Sequence, residues 1–156
     1  MKVLMVVVGR VRGEQAAAVA EYEKRAGRYW KLEVIEVAAG GGRRDAASGA
    51  VKAVEAERIL ARIPQHLELV ALSRDGSGMD SREFAEFLDQ HAIRSSAGVA
   101  FVIGGAFGLD STVLKRSRRV LSLSNMTLPH EMARLFLAEQ LYRAGTIVRG
   151  EPYHKG

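Results

Sequence analysis

Two unbroken apolar runs of strand length, Val3 to Val8 and Val99 to Ile103, constrain this chain more than any other feature. Successive side chains of a strand point to opposite faces, so a run with no polar interruption must be buried on both. Such strands belong to parallel sheets whose two faces are covered by helices, and the intervening segments supply the covers. Glu14 to Arg28 carries Ala18, Tyr22 and Ala26 at helical spacing. A segment from Ser48, read as its cap, through Val51, Val54 and Ile59 to Arg62 is halted by Pro64. Glu83 to His91, capped by Asp80 or Ser81, places Phe84, Phe87 and Leu88 on one face.

Further strands are expected at Lys31 to Val37, Leu67 to Leu72 and Val120 to Leu123. Arg74 to Gly78 reads as a turn, and Gly40-Gly41-Gly42-Arg43-Arg44 as a loop. A short helix follows at Ser111 to Arg116, and the longest helix runs from His130 to about Ile147. The expected fold class is α/β, a parallel sheet with helices on both faces. In such sheets ligands collect at the carboxyl ends of the strands, here Leu72-Ser73, Ile103-Gly104 and Leu123-Ser124.

With 156 residues and 47% hydrophobic side chains, the sequence suits a single domain spanning 1–156. No apolar stretch approaches a membrane span, and Met1-Lys2 leads straight into a strand-length run instead of a signal peptide. Cysteine is absent, which excludes thiolate metal sites and disulfides and agrees with a reducing compartment. The four histidines are scattered, so no metal site is expected. These features describe a soluble cytoplasmic protein with no membrane partner.

The net charge of +5 favours polyanionic partners, and its distribution is uneven. Met1 to Arg44 holds nine Lys or Arg against five Glu and no Asp, with Arg10, Lys24, Arg25 and Arg28 as candidate contacts to RNA phosphates. Lys115, Arg116, Arg118 and Arg119 form a second cluster.

The last third of the chain is the most specific. Gly104-Gly105-Ala106-Phe107-Gly108 follows a buried strand, where glycines let backbone approach a ligand closely. The spacing is not that of a dinucleotide fingerprint. Ser124-Asn125-Met126-Thr127-Leu128-Pro129 offers hydroxyl and backbone groups, and His130, Arg134 and His154 are candidate polar groups. Read singly, the glycine turn is as readily an ordinary strand-to-helix connection as a site, and for Ser122 to His130 the ordinary connection is the better reading.

Read jointly, IGGAFGL, LSLSNMTLPHEMARLFLAEQLYRAGTI and GEPYHKG resemble the SPOUT-class methyltransferases, and within them the ribosomal large-subunit pseudouridine N3-methyltransferases. VGR, EYEKR, LEVIEV and EAERIL extend the likeness over nearly the whole chain. The resemblance implies a C-terminal deep trefoil knot, a homodimer, S-adenosylmethionine as cofactor, and methylation of N3 of a pseudouridine in 23S ribosomal RNA within assembled ribosomes. By match, Leu72, Ser73, Gly104, Gly105, Leu123, Ser124, Asn125, Met126, Thr127, Leu128 and Pro129 would contact the cofactor. Tyr153, His154 and Lys155, with Arg143 and His130, would complete the active site, the tail reaching across the dimer. His154 is the leading candidate for removing the N3 proton, and Lys155 or Arg143 for stabilising the anion. Two departures stand out: the family's third strand usually ends Leu-Asp where this chain has Leu72-Ser73, and its tail often carries Arg where this chain has Lys155. The competing readings are a SPOUT enzyme of another RNA, such as tRNA, and a non-catalytic ribosome-binding protein.

Overall fold

Alternate residues of the first strand serve two different cores. In β1 (Lys2–Val8), Val3, Met5 and Val7 pack on one side, and Leu4, Val6 and Val8 on the other. All six are at most 1% exposed. The computed structural model describes residues 1–41, 47–94 and 97–155; Gly42, Arg43 and Arg44 of the expected loop, and Gly156 of the tail, lie outside them.

Helices α1 (Glu14–Ala26), α3 (Ser81–Ile93) and α5 (His130–Val148) cover the first face. Helices α2 (Ser48–Leu60) and α4 (Ser111–Arg116) cover the second. The other strands are β2 (Lys31–Val37), β3 (Glu68–Gly78), β4 (Gly98–Ile103) and β5 (Arg119–Ser122). Their order is β2-β1-β4-β3-β5, with every described pairing parallel. The central β4 is buried at every position. All five carboxyl ends therefore point the same way.

Two local expectations are corrected. The span 74–78 is not simply a turn: β3 loops out after Leu72 and rejoins β5, so that Leu72 and Ser77 both stand opposite Leu121. Ser48 does not cap α2; it is the first helical residue, after Ala47, and no side chain caps that end. Asp80 does cap α3, in a reciprocal capping box with Glu83. No helix among the described residues is long and apolar enough to cross a membrane.

Candidate active site

A cavity of about 380 Å³ opens at the carboxyl ends of β3, β4 and β5, within the range of small-ligand sites (roughly 300–1,000 Å³). Leu72 and Ser73 form one wall, Ile103 to Leu109 a second, and Leu123, Ser124, Met126, Thr127 and Leu128 a third. The three strand ends picked out from the sequence do converge. Asn125 and Pro129 do not line the cavity: Asn125 is exposed, and Pro129 is the N-cap of α5.

Glycine is required in the second wall. A Cβ on Gly104 would come within 2.9 Å of the Gly108 backbone, and one on Gly105 within 3.0 Å of Glu55 and Val8. The backbone itself forms this face, turned tightly enough for Gly108 N–H to reach Gly105 O at 3.1 Å. The third wall is braced internally: Ser122 Oγ donates to Ser124 O at 2.9 Å, and Met126 N–H donates to Ser124 Oγ at 3.0 Å.

Two cavity residues escaped the sequence reading. Arg74 donates to Thr127 Oγ1 at 3.0 Å and clasps the first wall to the third. Asp75 also lines the cavity, its N–H donating to Ser73 Oγ at 3.3 Å. The Asp75 carboxylate is exposed and stands 4.0 Å from Arg74 Nε. Both sit in the excursion of β3, whose return to the sheet leaves no signature in local sequence.

His130 lines the same cavity at the start of α5. Its Nδ1 faces Glu131 Oε2 at 3.1 Å and its Nε2 lies 3.3 Å from Arg10 O. Arg134, one turn on, is committed elsewhere. It donates to both oxygens of Glu23 (2.9 and 3.0 Å) and to Glu36 Oε2 (2.6 Å), fastening α5 to α1 and β2. Burial alone would depress the Arg134 pKa, but the two glutamates hold it above its ordinary value.

The remaining candidates gather at the other end of α5. Thirteen residues separate His130 from Arg143, about 20 Å of helix. Arg143 donates to Glu139 Oε1 from Nε (2.9 Å) and Nη2 (2.6 Å), and its guanidinium lies 5.0 Å from the Tyr153 ring centre. Tyr153 packs on Tyr142 at 4.5 Å between ring centres and donates to the same Glu139 oxygen at 3.2 Å. Burial, then hydrogen bonding with Tyr22 and the charge of Glu139, pushes Tyr153 up to about 12, so it remains a phenol at neutral pH. The hydrogen bond to Glu139 likewise holds Arg143 above its ordinary value. His154 has its Nδ1 buried without a partner among the described residues, and Lys155 is exposed in a left-handed conformation. Glu139, which ties this cluster together, looked in the sequence like an ordinary charge on a helix.

The tail is anchored to α5 through Tyr153 and to the link between α1 and β2 through Tyr29. Tyr29 donates to Glu151, and Gly145 makes room for the Tyr29 ring, which a Cβ there would meet at 2.3 Å. Within one chain, the tail and the cavity are therefore kept apart.

The candidate RNA-contacting residues do not form one patch. Arg10 is exposed near His130, whereas Lys24, Arg25 and Arg28 lie at the far end of α1, about 20 Å along a helix of 13 residues. Arg25 is bound to Glu21 at 2.9 Å and rests against the Tyr22 and Tyr142 rings, next to the tail. The second basic cluster sits at the amino end of the sheet, where Arg118 pairs with Glu68 at 3.3 Å and Arg119 covers Phe87. Among the described residues no group of three or more His, Cys, Asp or Glu could hold a metal ion.

Residues 1–154 match a family model described as "Predicted SPOUT methyltransferase". A protein of Gemmatimonas aurantiaca named "Ribosomal RNA large subunit methyltransferase H" is 51% identical over 99% of this chain and 100% of its own length. Proteins of the same name from Anaeromyxobacter sp. (46%) and Listeria monocytogenes serotype 4a (45%) match with the same coverage. Among solved structures, a probable methyltransferase from Bordetella pertussis Tohama I aligns with a TM-score of 0.55 at 21% identity, over 92% of this chain and 95% of its own. A probable methylase family protein from Haemophilus influenzae Rd KW20 aligns with 0.53 at 16%, over 99% and 70%. At those identities the structures speak for the fold alone.

Proposed function

The chain belongs to the SPOUT methyltransferase family, and from that membership we propose that it methylates N3 of a pseudouridine in large-subunit ribosomal RNA, using S-adenosylmethionine and acting as a homodimer on assembled ribosomes. The observation that carries this reading is the cavity at the strand ends, walled by a glycine turn and a hydroxyl-bearing loop. Relatives 45 to 51% identical over their whole length are named as ribosomal RNA large-subunit methyltransferases, which supports the substrate. The cytoplasm, where ribosomes reside, is the compartment this reading requires. A C-terminal trefoil knot belongs to the same proposal.

The cavity fits the cofactor in size and in chemistry. Gly104 and Gly105 present bare backbone to the cavity, because a Cβ on either would collide with packed neighbours, and Leu72, Ser73, Leu123, Ser124, Met126, Thr127 and Leu128 offer both apolar and hydrogen-bonding surface. Bound there, S-adenosylmethionine would supply an electrophilic methyl group on a cationic sulfur. The chain's own task is to position the base and to manage the proton on its N3, which must leave for the nitrogen to attack. His154 takes that proton at an imidazole nitrogen. Arg143, kept cationic by Glu139, and Lys155 stabilise the charge developing on the base. Tyr153, held as a phenol, donates to Glu139 and so fixes the tail that carries His154.

These groups sit at the far end of α5 from the cavity, so one chain cannot provide a complete site. Two copies paired with their α5 helices antiparallel would set each tail beside the partner's cavity, as a two-fold interface permits. The exposed Met132 and Phe136, each 40% accessible in the first half of α5, supply apolar surface for such a pairing. The test is transfer of label from radiolabelled S-adenosylmethionine to assembled ribosomes, separated subunits and bulk tRNA in parallel. Label confined to large-subunit RNA and strongest on assembled ribosomes is expected; label on tRNA alone would overturn the substrate.

A further inference from the structure

Glu55, in the middle of α2, is a buried acid to which the proposed chemistry gives no task. Its residue surface is 3% exposed. One oxygen, Oε2, accepts a hydrogen bond from Gly40 N–H at 2.9 Å. The other, Oε1, is buried with no hydrogen-bond partner among the described residues. Burying a carboxylate is costly because it removes hydration, and among the described residues one donor, Gly40 N–H, repays it.

Its position suggests what it does. Both oxygens lie 3.0 Å from where a Cβ on Gly105 would stand, and Val8 Cγ1 lies at the same distance. Gly105 also lines the candidate cofactor cavity. The wall between the carboxylate and the cavity is thus a single layer of backbone, without a side chain. Without a Cβ, Gly105 lets the carboxylate pack directly against the backbone that walls the cavity.

We propose that Glu55 is a specificity-determining residue that biases the cavity toward a cationic ligand group, favouring the sulfonium of S-adenosylmethionine over the neutral thioether left after methyl transfer. This inference rests on the cofactor reading above. A negative charge behind a thin, poorly hydrated wall attracts a cation on the other side and is nearly indifferent to a neutral sulfur. Attraction that is present before transfer and gone after it helps the spent cofactor leave.

The experiment is calorimetric titration of the full-length protein and its Glu55→Gln variant with three ligands: S-adenosylmethionine, S-adenosylhomocysteine and the amine analogue sinefungin. The substitution keeps the shape and the Gly40 contact but removes the charge. Loss of an opposite charge that acts on the cation through a poorly hydrated wall weakens its binding by about tenfold or more. We expect that loss for the sulfonium and the ammonium, and less than twofold for the thioether. Equal weakening of all three would make Glu55 a structural prop and overturn the proposal, as would unchanged affinity for the cations. If the wild type binds none of the three, the cofactor reading itself fails, which separates the two claims. If Glu55→Gln does not melt cooperatively, the wild type decides alone: its affinity for sinefungin must fall as pH rises through the amine's own titration, more than for the thioether, and parallel curves would overturn the proposal.

Discussion

Arg143 directs two nitrogens, Nε and Nη2, at a single oxygen of Glu139, four residues earlier on the same helix. Tyr153 shares that oxygen. One carboxylate thus orients both a cation and the tail that follows it, and makes the end of α5 a prepared surface.

Glu139→Gln leaves a weaker, neutral acceptor for both partners. It is expected to lower kcat by about tenfold or more, the scale of a lost charge-assisted bond, with cofactor affinity within twofold of wild type. Single-turnover methylation alongside calorimetry checks this. Parallel loss of both would contradict the separation of tail and cavity within a chain.

Arg134 is structural. Arg134→Met would leave the partly buried Glu23 without its cation, whereas Glu36 is more accessible and regains water. Destabilisation of about 2–3 kcal/mol is expected, below the full cost of breaking a buried pair because one acid is partly exposed. Glu36→Gln should cost under about 1 kcal/mol. Urea unfolding of both variants gives the comparison.

Stability should fall in alkali through Tyr153. Its pKa is raised to about 12 in the folded chain, against an ordinary value of about 10. The folded state therefore keeps a proton that the unfolded chain releases. The contribution is complete below pH 10 and is lost as pH rises from 10 through 12. Unfolding midpoints between pH 9 and 11 should drop less in Tyr153→Phe than in wild type. Identical slopes would contradict the assigned environment.

Two separated basic surfaces imply two independent sets of phosphate contacts. Arg10→Gln and Arg28→Gln should each weaken ribosome binding and reduce the dependence of log K on log salt by about one. The double variant should show the sum of the two effects, because the sites lie at opposite ends of α1. Binding assays at several salt concentrations test this, and a strongly non-additive result would argue for one continuous patch.

The sheet was legible because Val3 to Val8 and Val99 to Ile103 admit no half-exposed strand. The convergence of Leu72, Gly104 and Leu123 followed from parallel topology, which puts carboxyl ends on one side. The excursion of β3 was not legible: Arg74 to Gly78 has the composition of a turn, and its return to the sheet depends on β5, more than 40 residues away. The roles of Glu55 and Glu139, and the ion pairs of Arg134, which the sequence offered only as a candidate polar group, were hidden for a related reason. Each of the three is a charged residue on a helix, indistinguishable in sequence from solvated surface, and its partner is set by tertiary packing or, for Glu139, by the return of the tail.

The most direct test of the proposed activity is nucleoside mass spectrometry of large-subunit RNA after incubating assembled ribosomes that lack the modification with the protein and methyl-deuterated S-adenosylmethionine. The expected product is a labelled methylpseudouridine with the methyl on N3, absent when His154→Ala replaces the wild type. Label on another base, or an N3-methylpseudouridine formed equally well by His154→Ala, would contradict it.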